Sequence, residues 1–137
     1  MTLNEACDRW SELINERLDS VEKEASLSET FRLITRGGDR HGALEWTYYS
    51  QDAKGDGMDL LVSIAVFPHA SWGVGTFEFW FGGRLGDRYG RHLASTLKVL
   101  IDEPDWRSIT AALADAAAQA HAVTESDLSD VLPVAPF

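Results

Sequence analysis

The sequence predicts an α+β fold: an antiparallel four-stranded meander packed by an N-terminal helix and two C-terminal helices. Three observations carry this reading. An apolar stripe with helical spacing opens the chain, four strand-like runs with short turn-rich connections follow, and an alanine-rich helical stretch lies near the end. Short links between consecutive strands leave no room for crossovers, so the strands pair antiparallel.

The first helix is read from Leu3, Cys7, Trp10, Ile14, Leu18, Val21 and Ala25, spaced 4, 3, 4, 4, 3, 4. That spacing lines one helix face. Thr2 or Asn4 caps its start. Glu5, Asp8, Glu12, Asp19 and Glu22 fall on the opposite, solvated face. The stripe is near the lower limit for a coiled coil, but the strands that follow supply a sheet to pack on. Cys7 lies on the stripe and reads as a small buried hydrophobe.

The strands come next. Thr30–Arg36 alternates with Phe31, Leu33 and Thr35 on one side, and Gly37-Gly38-Asp39 reads as a turn. Ala43–Ser50 sets Leu44, Trp46 and Tyr48 against Glu45, Thr47 and Tyr49. Asp52–Gly57 contains an Asp-Gly pair, a hairpin signal. Met58–Phe67 is a long, mostly apolar run, expected to be a central strand buried on both faces and ended by Pro68. Gly75–Phe81 alternates Phe77, Phe79 and Phe81 against Thr76, Glu78 and Trp80.

After the glycine-rich Gly82–Asp87 the periodicity changes. Tyr89, Leu93, Leu97 and Leu100 fit a helix, although Leu93, Leu97, Val99 and Ile101 with Ser95 also fit a fifth strand. The expectation is a helix. A last helix is expected with Pro104 in its first turn, Asp102 or Asp105 as its cap, and Trp106, Ile109, Leu113, Ala116 or Ala117, and Ala120 on its buried stripe. Trp10 and Trp106 read as core. One domain spans 1–137, with a flexible tail from about 124 in which Leu128, Val131 and Leu132 are the anchors on offer.

Composition narrows the function classes. The 137 residues carry a formal net charge of −10. Residues 1–30 hold eight acids against three bases, residues 102–137 seven acids against Arg107, and the middle seven acids against eight bases. The acidity therefore sits at the two ends. Such a charge repels nucleic acid and anionic lipid, attracts basic proteins, and also keeps a protein soluble. Cys7 is the one cysteine, which excludes an intrachain disulfide. The start of the chain lacks a basic region followed by an apolar one, and no run approaches a membrane span. The expected location is the cytoplasm.

No motif for catalysis survives inspection, and neither an enzymatic activity nor a cofactor is expected. His41, His69, His92 and His121 share no ligand-like spacing. Asp52, Asp56, Gly57 and Asp59 brush the calcium-loop pattern, but Lys54 and Ser63 occupy ligand positions and strands flank it. There is no nucleophile elbow. Glu45 and Glu78 can share a sheet face, where a solvated pair is the plainer reading. Arg84, Arg88 and Arg91, interleaved with Gly82, Gly83, Gly86 and Gly90, form the most suggestive stretch. If a helix follows, its N-terminus and the arginines would hold an anion, although no phosphate-loop lysine is present. The plainer reading is a wide turn whose arginines pair with acidic helices. Of the five tryptophans, Trp72 in a loop and Trp80 on a strand are the candidate partner anchors, with Glu12 and Asp19 as steering acids.

In size, charge and layout the chain resembles the small cytoplasmic immunity proteins that bacteria keep against polymorphic toxins. The resemblance implies a non-catalytic inhibitor of a basic partner such as a toxin, acting by occupying the partner's active site or holding it elsewhere. It carries no residue roles. The alternatives are a small-molecule or phosphate binder or enzyme using Gly82–Arg91, and a secretion chaperone or structural subunit. These readings differ in the surface they require: a flat acidic-aromatic face, a pocket of a few hundred cubic ångströms by the arginines, or an uncovered Leu3–Trp10–Ile14 stripe.

Overall fold

The computed structural model of the chain describes residues 2–27, 29–40, 43–69 and 73–129. Helix α1 (Leu3–Glu24) starts at a capping box. The Thr2 hydroxyl accepts the Glu5 N–H at 3.1 Å, and the Glu5 carboxylate accepts the Thr2 N–H at 3.3 Å. Two orphan donors of the first turn are thereby satisfied. Its stripe of Cys7, Trp10, Ile14, Leu18 and Val21 is buried.

Five strands follow: β1 (Arg32–Arg40), β2 (Ala43–Ser50), β3 (Asp59–Pro68), β4 (Val74–Leu85) and β5 (Arg88–Leu100). They form one antiparallel sheet in the order β1-β2-β3-β4-β5. Helix α2 (Trp106–His121) and a short 3-10 turn (Glu125–Asp127) complete the described elements. The α+β class and the antiparallel meander stand as expected, with two corrections to its parts. The stretch 89–101 is a fifth strand, not a helix. Gly37-Gly38-Asp39 lies inside β1, with a register shift against β2 between Arg36 and Gly38, and not in a turn.

The fifth strand has a local cause. Leu85 pairs with Arg88, leaving Gly86 and Asp87 as a two-residue hairpin turn. Gly86 takes φ +62°, which such a turn requires at its first central position and a side chain would resist. Once the turn closes, Tyr89, Thr96 and Val99 extend along β4 as residues suited to strands. Further on, Asp105 caps α2 by accepting the Ser108 N–H at 3.1 Å. Pro104 precedes that cap, one step outside the helix turn expected for it.

Both helices pack on one face of the sheet, α1 over β2 and β3, α2 over β3, β4 and β5. Trp46 and Tyr48 of β2, Ile64 and Val62 of β3, and Phe77 and Phe79 of β4 line that face and are buried. Two polar contacts tie α1 to β2. The Trp46 indole N–H donates to Asn15 at 3.0 Å, and the Tyr48 hydroxyl donates to Glu22 at 2.7 Å. Asn15 and Glu22 are two helix turns apart, and Trp46 and Tyr48 are successive inward positions on the strand. The register of α1 along β2 is therefore fixed at two points. Trp106 is only partly buried, a correction to its expected core place; Arg17 lies 5.2 Å from its ring centre. Of the stretch read as a tail, Leu128 is buried, and Ser129 forms a bridge with Tyr89 at the start of β5. Val131 and Leu132 lie outside the described residues.

Trp10 fills the space over Gly75 and meets Phe77 edge-on at 5.4 Å between ring centres. A Cβ on Gly75 would come within 2.9 Å of the indole. Since Trp10 is fully buried, the ring has nowhere to retreat. Gly75→Ala is expected to cost about 1–3 kcal/mol as an overpacking change, read as a lowered midpoint in denaturant unfolding with an unchanged slope.

Candidate functional site

The face of the sheet opposite the helices carries the most organised polar cluster among the described residues. Strand pairing sets its rows. Glu45, Ala65, Glu78 and Thr96 lie side by side across β2 to β5. Next come Thr47, Ser63, Trp80 and Leu93, and then Tyr49, Leu61, Gly82 and Arg91. Glu45 and Glu78 thus share a face, two strands apart, or roughly 10 Å at ordinary strand spacing.

Arg91 draws the rows together. Its side chain crosses β4 and donates from Nη2 to the Ser63 hydroxyl and to the Glu45 carboxylate, each at 3.2 Å. The guanidinium lies over the Trp80 ring, 4.4 Å from its centre. The Trp80 N–H donates to Glu78 at 3.1 Å, and the Thr47 hydroxyl donates to Glu45 at 3.4 Å. Gly82, beside Arg91 on β4, has no side chain to obstruct the crossing. Ser63, Leu61 and Ala65 on this face are buried.

The Glu45–Arg91 pair is sheltered, with side chains 17% and 23% exposed. A planar cation stacked on indole and bonded to a carboxylate is held in place before any partner arrives. Tyr89, further along β5, has its phenol held above its ordinary value of 10.0. Burial is the main cause; Tyr49 and Glu45 push the same way, and the Arg91 charge opposes them. The cluster provides stacking and charge-assisted hydrogen bonds. Within it the Ser63 hydroxyl accepts from Arg91.

The three arginines of the glycine-rich stretch do not converge. Arg84 and Arg91 lie on the helix-free face, where Arg84 is exposed and contacts its own turn at Gly86. Arg88 pairs with Leu85 on the helix side and holds the 3-10 turn. It donates to the Glu125 carboxylate and to the Glu125 and Leu128 carbonyls at 3.0 and 3.3 Å. Because β5 is a strand, no helix N-terminus stands behind them. That correction removes the helix end on which the alternative, anion-binding reading of Arg84, Arg88 and Arg91 partly rested. A cleft of about 290 Å³ does lie beside the hairpin, lined by Phe81, His92, Gln119, Ala122, Val123 and Asp127. None of the three arginines lines it.

Glu12 and Asp19 are exposed on α1, so they sit on the opposite side of the domain from Trp80. The acids and the strand tryptophan expected to share one surface are therefore apart. Trp72 lies outside the described residues. The Trp10–Ile14 stripe is consumed by the domain's own core, with Leu3 half-exposed at its end. Sequence reasoning missed Arg91 as the organiser of the face, since its position depends on β5 being a strand. Among the described residues, no three His, Cys, Asp or Glu side chains are grouped to hold a metal ion. No helix among them is long and apolar enough to cross a membrane.

Comparison of the chain with protein-family models, with curated proteins and with solved structures finds no match.

Tyr89 gives a titration test of the cluster. Its raised phenol pKa means that the folded state holds the proton more tightly than the unfolded state. The resulting stability is fully present below the ordinary phenol value and is lost as pH rises through the raised one. Arg91→Ala removes the one influence that lowers the pKa, so Tyr89 is expected to titrate at still higher pH. Ultraviolet titration of tyrosinate in wild type, Arg91→Ala and Tyr89→Phe measures this; an unchanged or earlier Tyr89 transition in Arg91→Ala would contradict the geometry.

Proposed function

We propose that the protein works without catalysis, as an immunity-type inhibitor that binds a basic partner protein such as a toxin. The observation that carries this reading is the helix-free sheet face, where Arg91 lies over Trp80 and bonds to Glu45, and the Trp80 N–H donates to Glu78. Pre-ordered aromatic and arginine side chains suit protein contact, because little side-chain freedom remains to be lost on binding. The net charge of −10 supplies long-range attraction for a cationic partner. The acids of α1, Glu12 and Asp19 among them, act on the approach, while the Trp80 face makes the contact.

A second reading keeps a small ligand in view on one observation, the cleft beside the hairpin. Its lining mixes apolar Phe81, Ala122 and Val123 with polar His92, Gln119 and Asp127, as ligand sites commonly do, at the lower end of the usual size. A partner role through an uncovered α1 stripe draws no support, as Trp10 and Ile14 are buried.

The test is capture from cell extract at low and high salt, followed by an activity assay of the captured protein. The expected partner is basic, is released by salt, and loses activity in the complex. Trp80→Ala is expected to weaken binding by about tenfold or more through faster dissociation. Glu12→Lys with Asp19→Lys is expected to slow association at low salt and leave dissociation nearly unchanged. A partner that keeps full activity in the complex, or affinity indifferent to Trp80→Ala and Arg91→Ala, would remove this reading.

A further inference from the structure

We infer that the free edge of β5 pairs with the same edge of a second copy, joining two five-stranded sheets into one of ten strands. The starting observation is an imbalance between the two sheet edges. Edge strands present unpaired N–H and C=O groups, and proteins blunt them with bulges, charges, prolines or short length. β1 carries two register shifts, two glycines and four charged residues. β5 is 13 residues long, well beyond an ordinary strand. Ser129 covers its start at Tyr89. From Arg91 to Leu100 no backbone partner other than β4 appears among the described residues. That stretch has no proline and no acid, and it holds Leu93 and Leu100, which are 47% and 57% exposed.

Which backbone groups face outward follows from two hydrogen bonds. The Tyr89 N–H and C=O bond to Ser129, so they point away from β4. The Ile101 N–H bonds to the Gly73 carbonyl, toward β4. The strand alternates, and the register shift opposite Phe79 and Trp80 inserts Ala94 as an extra residue. The outward groups are therefore those of Tyr89, Arg91 and Leu93 before the bulge, and of Thr96, Lys98 and Leu100 after it. Their side chains all lie on the helix-free face, in the rows of Arg84, Gly82, Trp80, Glu78, Thr76 and Val74.

This series is complementary to itself when reversed. In an antiparallel pairing about Leu97, Thr96 faces Lys98 of the second copy, and Lys98 faces its Thr96. Passing over Ala94 as β4 does, Leu93 faces Leu100 of the second copy, and the converse pair repeats it. No like charges stand directly opposite, and the two exposed leucines of the strand cover each other. Residues opposite each other share a sheet face, so the helices of both copies stay on one side. The two Trp80 clusters stay on the other. The symmetry is a two-fold, which closes on itself and leaves β1 as the outer edge at both ends. The contact is small, so the dimer is weak and dependent on concentration.

The experiment is sedimentation equilibrium of the full chain over a concentration series at physiological ionic strength, where repulsion between the two net charges is largely screened. Wild type is expected to show a monomer–dimer equilibrium. Leu93→Lys and Leu100→Glu alone are each expected to abolish the dimer, since each sets a charge against a leucine. Carried in one chain, they are expected to restore it, because each lysine then faces a glutamate of the other copy. Both positions are exposed, and circular dichroism confirms that each variant folds. Backbone amides of Thr96, Lys98 and Leu100 are expected to exchange more slowly as concentration rises. A wild type that stays monomeric throughout, a dimer that survives the single variants, or a double variant that fails to reassociate would each overturn the inference.

Discussion

The arrangement depends on one constraint: both helices are held to the same face of the sheet. The apolar stripe of α1 meets the inward rows of β2 and β3, and Asn15 and Glu22 fix its position on Trp46 and Tyr48. α2 then takes the remaining width over β3, β4 and β5. With α1 and α2 spent on that side, the other face must manage its own exposure. It does so with side chains, not with a second layer. Ser63, Leu61 and Ala65 are buried there, and Arg91 reaches across β4 to Ser63 and Glu45 while lying over the Trp80 ring. A polar network this close to solvent contributes modestly to stability, and its consequence is order on the exposed face.

The inward half of this arrangement was legible in the sequence. The stripe from Cys7 to Val21, the alternation in β2 and the aromatic alternation in β4 each point to one face, and each lies where the alternation placed it. Burial of a strand or helix face imposes its period on the residue types directly. The central strand β3 gave no such alternation because both of its faces are buried, one by helices and the other by neighbouring side chains.

The outward half was obscured by one bulge. Before Ala94 the helix-free face of β5 takes odd positions, Tyr89, Arg91 and Leu93. After it the face takes even ones, Thr96, Lys98 and Leu100. The inserted residue breaks the period of two and leaves Tyr89, Leu93 and Leu97 at intervals of four, which imitates a helix. Arg91 then has no assigned face, and the cluster that it organises cannot be assembled from sequence. The glycine pairs misled for a similar reason. Gly37-Gly38 sits at an irregularity of an edge strand, and Gly82-Gly83 lies under crossing or crowding neighbours, so neither pair ends its strand.

The same bulge links the two surfaces of interest. By shifting phase, it keeps Leu93 in the row of Trp80 and returns Leu100 to the same face, so that this face and the free edge of β5 share their exposed side chains. Without the extra residue, the outward backbone groups after position 94 would belong to Ser95, Leu97 and Val99. Val99 is buried and Leu97 packs against the core on the helix side, so the phase cannot slip back without exposing them. Burial on the helix side thus fixes which residues face solvent on the other, and it is β5, the strand that closes the meander, that carries this constraint from the core to the surface.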